Sequence, residues 1–365
     1  LKGERFDAHA FITQVAEQGC QVAIVSQPID AEICQLVVPD TRLALGQLGA
    51  YRRAQNPQLK VIALTGSSGK TTTKEMLGSI LSRIAPTLVT RGNLNNDLGV
   101  PVMLLELRPE HQYAVMELGA SHQGEIDYTS NLVQPLVAGI INIGTAHLGE
   151  FGGRDGICRA KSEIYAHIAP NGTSIVPAAD DFADSIRQAV QTEQVLSFGA
   201  GGEIFATEIE LQAQSATFKL NTPQGVCQVN LQFAGEHNVQ NATAAAAFAL
   251  AIGISLDDIV LGLEQAVGAK GRLNFIQQGR HLLIDDTYNA NPTSMRAAAE
   301  VLAQQEGVRV MVMGDIGELG SSAAQQHYML GRDLVSVKGL NFVVCATTLW
   351  SIKPTRLGVC ACSTR

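Results

Sequence analysis

The sequence predicts an α/β protein of several domains, built around a mostly parallel sheet that carries a phosphate-binding loop. Three observations lead there. An apolar run at residues 61–65 passes straight into Gly66-Ser67-Ser68-Gly69-Lys70-Thr71 and a helical pattern. Apolar runs then alternate with helical stretches up to residue 168, and the same alternation returns after residue 271. A chain of 365 residues has room for two or three domains and their cores.

In order along the chain, residues 1–56 hold short apolar runs at 22–25 and 36–38 and a helical stretch at 43–54, which reads as a small α/β piece. Asn56-Pro57 is a linker, because the residue before proline avoids helix and proline cannot join a central strand. From residue 59 the expected order is a strand at 61–65, a helix at 70–84, strands at 113–118 and 136–143, and a helix at 156–168. Residues 203–233 alternate polar and apolar around the turn signal Asn221-Thr222-Pro223-Gln224-Gly225, which predicts antiparallel strands. Alanine-rich 238–253 and then 256–267 read as helices. A second α/β unit follows, with strands at 281–285 and 308–313 and helices at 293–305 and 322–335. The expected domains are 1–57, 58–271 and 272–365, with 338–365 atypical.

The residues of the loop carry their own chemistry. Glycines let the backbone turn so that its N–H groups and the next helix N-terminus converge on an anion. Lys70 then reaches outer phosphates and the Thr71 hydroxyl holds Mg²⁺. Leu64 stands where the commoner phosphate loop has its first glycine, so the loop is a shortened one. Glu117 and His147 fall at strand ends, where a carboxylate or imidazole can face that loop. Taken singly, each is more often a surface glutamate or a loop histidine. Lys161 sits in a helical stretch, where lysine is usually solvated.

Composition narrows the classes. The net charge of −8 argues against a protein that coats nucleic acid, so phosphates must be met by local cations, amides and metal. Seven cysteines without a Cys-x-x-Cys pair form no recognisable disulfide or zinc framework, and a reducing cytoplasm fits best. No apolar run approaches the about 18 residues of a membrane span, and no signal peptide is visible.

The motifs at 65–75, 92–101, 116–119, 142–151 and 160–164, continued at 235–242, 271–273, 285–292 and 313–320, together resemble the Mur ligases of bacterial peptidoglycan synthesis. They run in order over most of the chain. Asn-Ala-Asn-Pro at 289–292 and Gly-Asp-Ile-Gly-Glu-Leu-Gly at 314–320 favour the branch that adds D-alanyl-D-alanine to UDP-N-acetylmuramoyl-tripeptide. The resemblance implies a UDP-substrate domain, a central ATPase and a partial Rossmann-like C-terminal domain in a cytoplasmic monomer. It implies ATP, two Mg²⁺ sites, and CO₂-derived carbamylation of Lys161. The metal set is then Thr71, Glu117, His147 and carbamylated Lys161, and these with Lys70 are the catalytic residues. ATP is expected at Gly66, Ser67, Ser68, Gly69, Lys70, Thr71 and Thr72, at Asn238 and Asn241 beside adenine, and at Arg272, Asp285 (or Asp286), Asn289 and Asn291 from the C-terminal unit. Lys2, Gly3, Phe6, Asn93, Asn95 and Asn96 are the expected substrate contacts. A hinge is expected at 268–271, with ATP as the closing ligand.

Two departures shape the alternatives. The family's uridine-contacting Asp-Thr/Ser-Arg segment is expected ahead of Leu1, and the likeness is expected to stop after about Val337 through a truncation or change of reading frame, unless 341–346 forms a buried strand. Besides the amide ligase, the open readings are a sibling Mur ligase, a folylpolyglutamate synthase-like ligase, and a nucleotide-binding chain that is catalytically incomplete. A phosphate-loop kinase or GTPase is disfavoured by the shortened loop.

Overall fold

Every residue of the run Val61-Ile62-Ala63-Leu64 is buried, so this strand needs cover on both faces, as the inner strands of parallel sheets do. A computed structural model, which describes residues 1–3, 6–146, 148–345 and 359–360, shows how that is met. Lys60–Thr65 is an inner strand of a six-stranded parallel sheet in the order Thr87–Val89, Tyr113–Glu117, Lys60–Thr65, Val137–Ile140, Thr173–Pro177, Gln194–Phe198. Side chains alternate across a strand. Ile62 and Leu64 therefore join one core, with the helices Lys70–Ser82 and Glu236–Ala251, while Val61 and Ala63 join the other, with Gly99–Leu105, Glu125–Val133 and Arg154–Ser162.

The chain enters this sheet near its middle, moves to one edge, and then crosses to the other side. The order reverses between Tyr113–Glu117 and Val137–Ile140, which flank Lys60–Thr65. Strand C-terminal ends at such a reversal leave a crevice, and the phosphate loop lies there. The alanines of Glu236–Ala251 are almost all buried, and their small side chains let this helix lie between the large sheet and a three-stranded antiparallel sheet. That sheet, Phe205–Leu211, Ala216–Thr222 and Gly225–Leu231, is the one expected from the period-two stretch.

The N-terminal piece is a parallel pair, Val22–Val25 with Cys34–Val37, followed by the helix Thr41–Ala54. Arg52 and Arg53 near the end of this helix donate to the carbonyls of Leu107 and Val133, which docks it on the central unit.

One expectation after residue 271 is corrected. His281–Asp285 does not belong to a parallel sheet; it pairs antiparallel with Asn274–Gln278 across a turn containing Gly279 at φ 57°. The parallel strands are Val310–Met313, Phe342–Cys345 and Val359–Cys360. Val343 and Cys345 are buried against Met295, Ala299 and Leu330, so the stretch after Val337 does supply an inner strand. Among the described residues no helix is long and apolar enough to cross a membrane.

Candidate functional site

The loop at 66–69 is shaped by two glycines and by Asn142. Gly69 caps the helix Lys70–Ser82 at φ 78°, a left-handed conformation that side chains resist, and a Cβ there would lie 2.2 Å from Asn241 Oδ1. Gly66 passes so close to Ile141 that a Cβ would stand 3.1 Å from its Cβ. Asn142 holds the loop from the neighbouring strand: its backbone carbonyl accepts from Ser67 N at 3.1 Å, its Oδ1 accepts from Ser68 N at 3.0 Å, and its Nδ2 donates to Ser68 O at 2.9 Å. Lys70 Nζ donates to Gly66 O at 2.8 Å. The Ser67 hydroxyl is buried and unpaired among the described residues, as befits a cradle shaped for an acceptor-rich ligand.

Behind the loop stands a charged cluster. Glu117, 2 % exposed, ends its strand with Oε2 accepting from Thr71 Oγ1 at 3.2 Å and Oε1 accepting from Asn95 Nδ2 at 2.8 Å. Lys161, also 2 % exposed, has no hydrogen bond or ion pair to any described residue. Burial pushes its ammonium well below the ordinary lysine range, and the Lys70 charge pushes it further, against the pull of Glu117. Lys70 is lowered too, by burial and by Arg272, with Glu117 opposing.

A cavity of about 590 Å³ opens beside Ser68, Gly69 and Thr72. Its central-unit walls include Asn142, Asp180, His237, Asn238 and Asn241; the C-terminal unit closes it with Arg272, Leu273, Asp286 and Ser294. Asn241 Nδ2 donates to Asn238 Oδ1 at 3.0 Å, and Asn238 Nδ2 donates to Ala234 O, so the pair is fixed before any ligand arrives. Arg272 lies over the Tyr288 ring at 4.4 Å with its buried Nε unpaired among the described residues. Burial raises the Asp286 carboxyl and lowers the His237 imidazole to about 4. The two units meet directly where Asn291 Nδ2 donates to Ser68 Oγ at 3.1 Å.

The structure thus brings together Gly66, Ser67, Ser68, Gly69, Lys70, Thr71 and Thr72 with Glu117, Lys161, Asn238, Asn241, Arg272 and Asn291. It sets others apart. Asp286 lines the cavity, whereas Asp285 turns back to accept from the Thr287 amide and hydroxyl. Asn289 is exposed and accepts from Ala290 N. Asn95 reaches Glu117, but Asn96 caps the helix Gly99–Leu105 through Gly99 N, and Asn93 is exposed. Lys2 lines a small cavity of about 340 Å³ with Asp40 and Arg42; Gly3 N bonds Phe6 O, and Phe6 is exposed. His147 lies outside the described residues. Sequence reasoning missed Asn142 as the clamp of the loop, although its place just after an inner strand at the reversal point was a usable signal, and it missed His237, whose neighbours Asn238 and Asn241 it found.

Among the described residues no three His, Cys, Asp or Glu side chains converge, so Glu117 and the Thr71 hydroxyl are the only oxygen donors at this end of the loop that the sequence reading named. A carboxylate built on Lys161 would add the missing oxygen.

Comparisons with known proteins agree with this geometry. The family model described as the Mur ligase middle domain matches residues 64–249, and the one described as the Mur ligase, glutamate ligase domain, matches 271–356, well past Val337. The UDP-N-acetylmuramoyl-tripeptide–D-alanyl-D-alanine ligase of Escherichia coli K12 is 46% identical over 91% of this chain and 74% of its own length. The crystal structure of MurF from Acinetobacter baumannii has a TM-score of 0.93 at 76% identity, over 94% of this chain and 76% of that one. MurF from Thermotoga maritima in complex with ADP has a TM-score of 0.86 at 28% identity, over 94% and 79%. Lactobacillus-type L. casei FPGS, at 14% identity and a TM-score of 0.62, shares the fold alone. On these grounds the chain belongs to the Mur ligase family, within its MurF branch.

Proposed function

We propose that the chain uses ATP to join D-alanyl-D-alanine to UDP-N-acetylmuramoyl-tripeptide, the reaction for which its relatives are named, and that its units are 1–57 on the UDP-substrate side, 58–271 for ATP and 272–365 as the closing unit. The observation that carries this reading is the shared cavity: the phosphate loop forms its floor, Asn238 and Asn241 one wall, and Arg272, Asp286 and Ser294 the other. A ligand spanning it touches both units, so ATP can close them about a hinge at 268–271.

The chemistry needs activation, because a carboxylate oxygen leaves poorly. The terminal carboxylate of the tripeptide attacks the γ-phosphorus, the bond to ADP breaks, and an acyl phosphate forms. The amino group of D-alanyl-D-alanine then attacks the carbonyl carbon, phosphate departs, and the amine gives up a proton. Gly66 to Gly69 amides and Lys70 bind and orient the triphosphate. Two Mg²⁺ ions, one at Thr71 and Glu117 and one at His147 and carbamylated Lys161, supply the positive charge that offsets two approaching anions.

Lys161 fits carbamylation for a physical reason. A buried lysine with no anionic partner favours its neutral amine, and a neutral amine adds to CO₂ with loss of a proton, turning a repelled cation into a carboxylate-like donor. The reaction is placed in the cytoplasm, by a monomer. The test is phosphate release from ATP, which should require the UDP-tripeptide and the dipeptide together and disappear in Lys70→Ala. Release supported by a single amino acid in place of the dipeptide would move the assignment to a sibling ligase, and ATP binding without turnover would mark the chain as catalytically incomplete.

A further inference from the structure

Lys74 is the other buried lysine of this molecule that the reaction scheme leaves without a task. It lies on the helix Lys70–Ser82, one turn beyond Lys70, and is 1 % exposed. Its Nζ donates to Thr90 O at 2.7 Å and pairs with Glu75 Oε1 at 2.7 Å. Burying an ammonium costs several kcal/mol per ion, and an apolar side chain of similar volume commonly fills such a place at no loss of stability. Stability alone therefore does not account for a cation at this position. What the cation does hold is informative.

Thr90 is itself buried, and its side chain bridges two points of the neighbouring strand: Oγ1 donates to Val115 O at 3.2 Å and accepts from Glu117 N at 3.0 Å. The segment that begins at Thr90 then runs to Asn95, whose Nδ2 meets Glu117 Oε1 and whose carbonyl accepts from Gly119 N at 2.8 Å. Glu117 is thus gripped at its backbone by Thr90 and at its carboxylate by Asn95 and Thr71. Lys74 ties the origin of that grip to the helix that carries Lys70 and Thr71.

We propose that Lys74 is a positioning residue for the divalent ion: through Thr90 it fixes the distance between Glu117 and Thr71, the two oxygen donors on opposite sides of the ion's place. The inference rests on the reading of Glu117 and Thr71 as metal ligands. Lys74 touches neither substrate nor metal; it acts by holding the backbone from which one ligand projects.

The experiment uses the whole chain with a non-hydrolysable ATP analogue, titrates Mn²⁺, and follows free Mn²⁺ by electron paramagnetic resonance, with thermal melting in parallel. Lys74→Met and Thr90→Val should each weaken Mn²⁺ binding about tenfold, as loss of a ligand's supporting hydrogen bonds typically does. Because both act through one chain of contacts, the double variant should be no weaker than the worse single one. Glu117→Gln serves as reference. Unchanged Mn²⁺ affinity in Lys74→Met and Thr90→Val, with affinity lost in Glu117→Gln, overturns the role of Lys74 and leaves the metal reading standing. Unchanged affinity in all three overturns both. Lower melting temperature with intact Mn²⁺ affinity marks Lys74 as a packing residue and also refutes the proposal. If Lys74→Met fails to fold, Thr90→Val, which keeps the shape of the side chain, decides alone.

Discussion

Gly69→Ala tests whether the phosphate loop is held in its binding geometry before a nucleotide arrives. Two costs can be worked from the structure. Gly69 has φ 78°, and an L-residue in the left-handed region costs about 1–2 kcal/mol. The new Cβ would also sit 2.2 Å from Asn241 Oδ1 and 3.0 Å from its Cγ, so Asn241 must move and give up its bond to Asn238, for about 1 kcal/mol more. The loop sheds this strain by leaving its geometry, and nucleotide binding has to restore it. The combined 2–3 kcal/mol should appear as a loss of about 30- to 150-fold in affinity for a fluorescent ATP analogue, measured by direct titration. Gly201→Ala is the control: Gly201 has φ 80°, nothing lies within 4 Å of the Cβ, and it does not line the cavity. It should cost about 1–2 kcal/mol of stability and leave nucleotide affinity as it was. Binding by Gly69→Ala within about twofold of the parent, a difference of only about 0.4 kcal/mol, would refute the reasoning.

Asn291 has two roles that can be separated. Its Oδ1 caps the helix Pro292–Ala303 through Ser294 N, while its Nδ2 reaches Ser68 Oγ. Asn291→Ala should lose about 1 kcal/mol of stability in denaturant unfolding as well as nucleotide affinity. Asn291→Ser keeps a capping oxygen but is too short for Ser68, so it should recover the stability and still bind nucleotide about threefold more weakly. His237 gives a pH signature. Burial lowers its imidazole from the ordinary 6.5 to about 4, with Glu300 opposing, so as pH falls through that window the unfolded chain takes up a proton that the fold refuses. Stability should therefore drop between pH 6.5 and 4, by about 1–2 kcal/mol at pH 5, and His237→Gln should remove that part of the slope in denaturant titrations at pH 7 and pH 5.

The strand, loop and helix around Gly66 to Thr71 were legible because each is written locally: apolar residues on both faces, glycines at the bend, and a helical repeat after Lys70. The pairing of His281–Asp285 was not, since a short apolar run carries no mark of its partner, and the turn at Gly279 and Arg280 that makes it a hairpin was read past. The consecutive aspartates failed for a related reason. At the end of a strand neighbouring side chains point to opposite sides, so only one of Asp285 and Asp286 can face the cavity, and choosing between them needs a register that the sequence does not supply.

The two buried lysines were legible in a way that composition obscured. In Arg154–Ser162 and the turn after it, Ile157, Lys161 and Ile164 recur at spacings of four and three, with Ala160 beside them, so Lys161 occupies a place on the apolar stripe. In Lys70–Ser82, Lys74, Leu77 and Leu81 recur at three and four, and Lys74 does the same. A lysine on the solvated side of a helix needs no explanation, whereas one that interrupts a buried stripe must either meet an acceptor or surrender its charge. Lys74 does the first, with Thr90 O and Glu75, and keeps a ligand-bearing segment in place; Lys161 has no acceptor and does the second, which is what equips its amine to take up CO₂. The same irregularity of pattern therefore leads to opposite chemistry, and what decides between the two is the presence of one carbonyl and one carboxylate within reach of the ammonium.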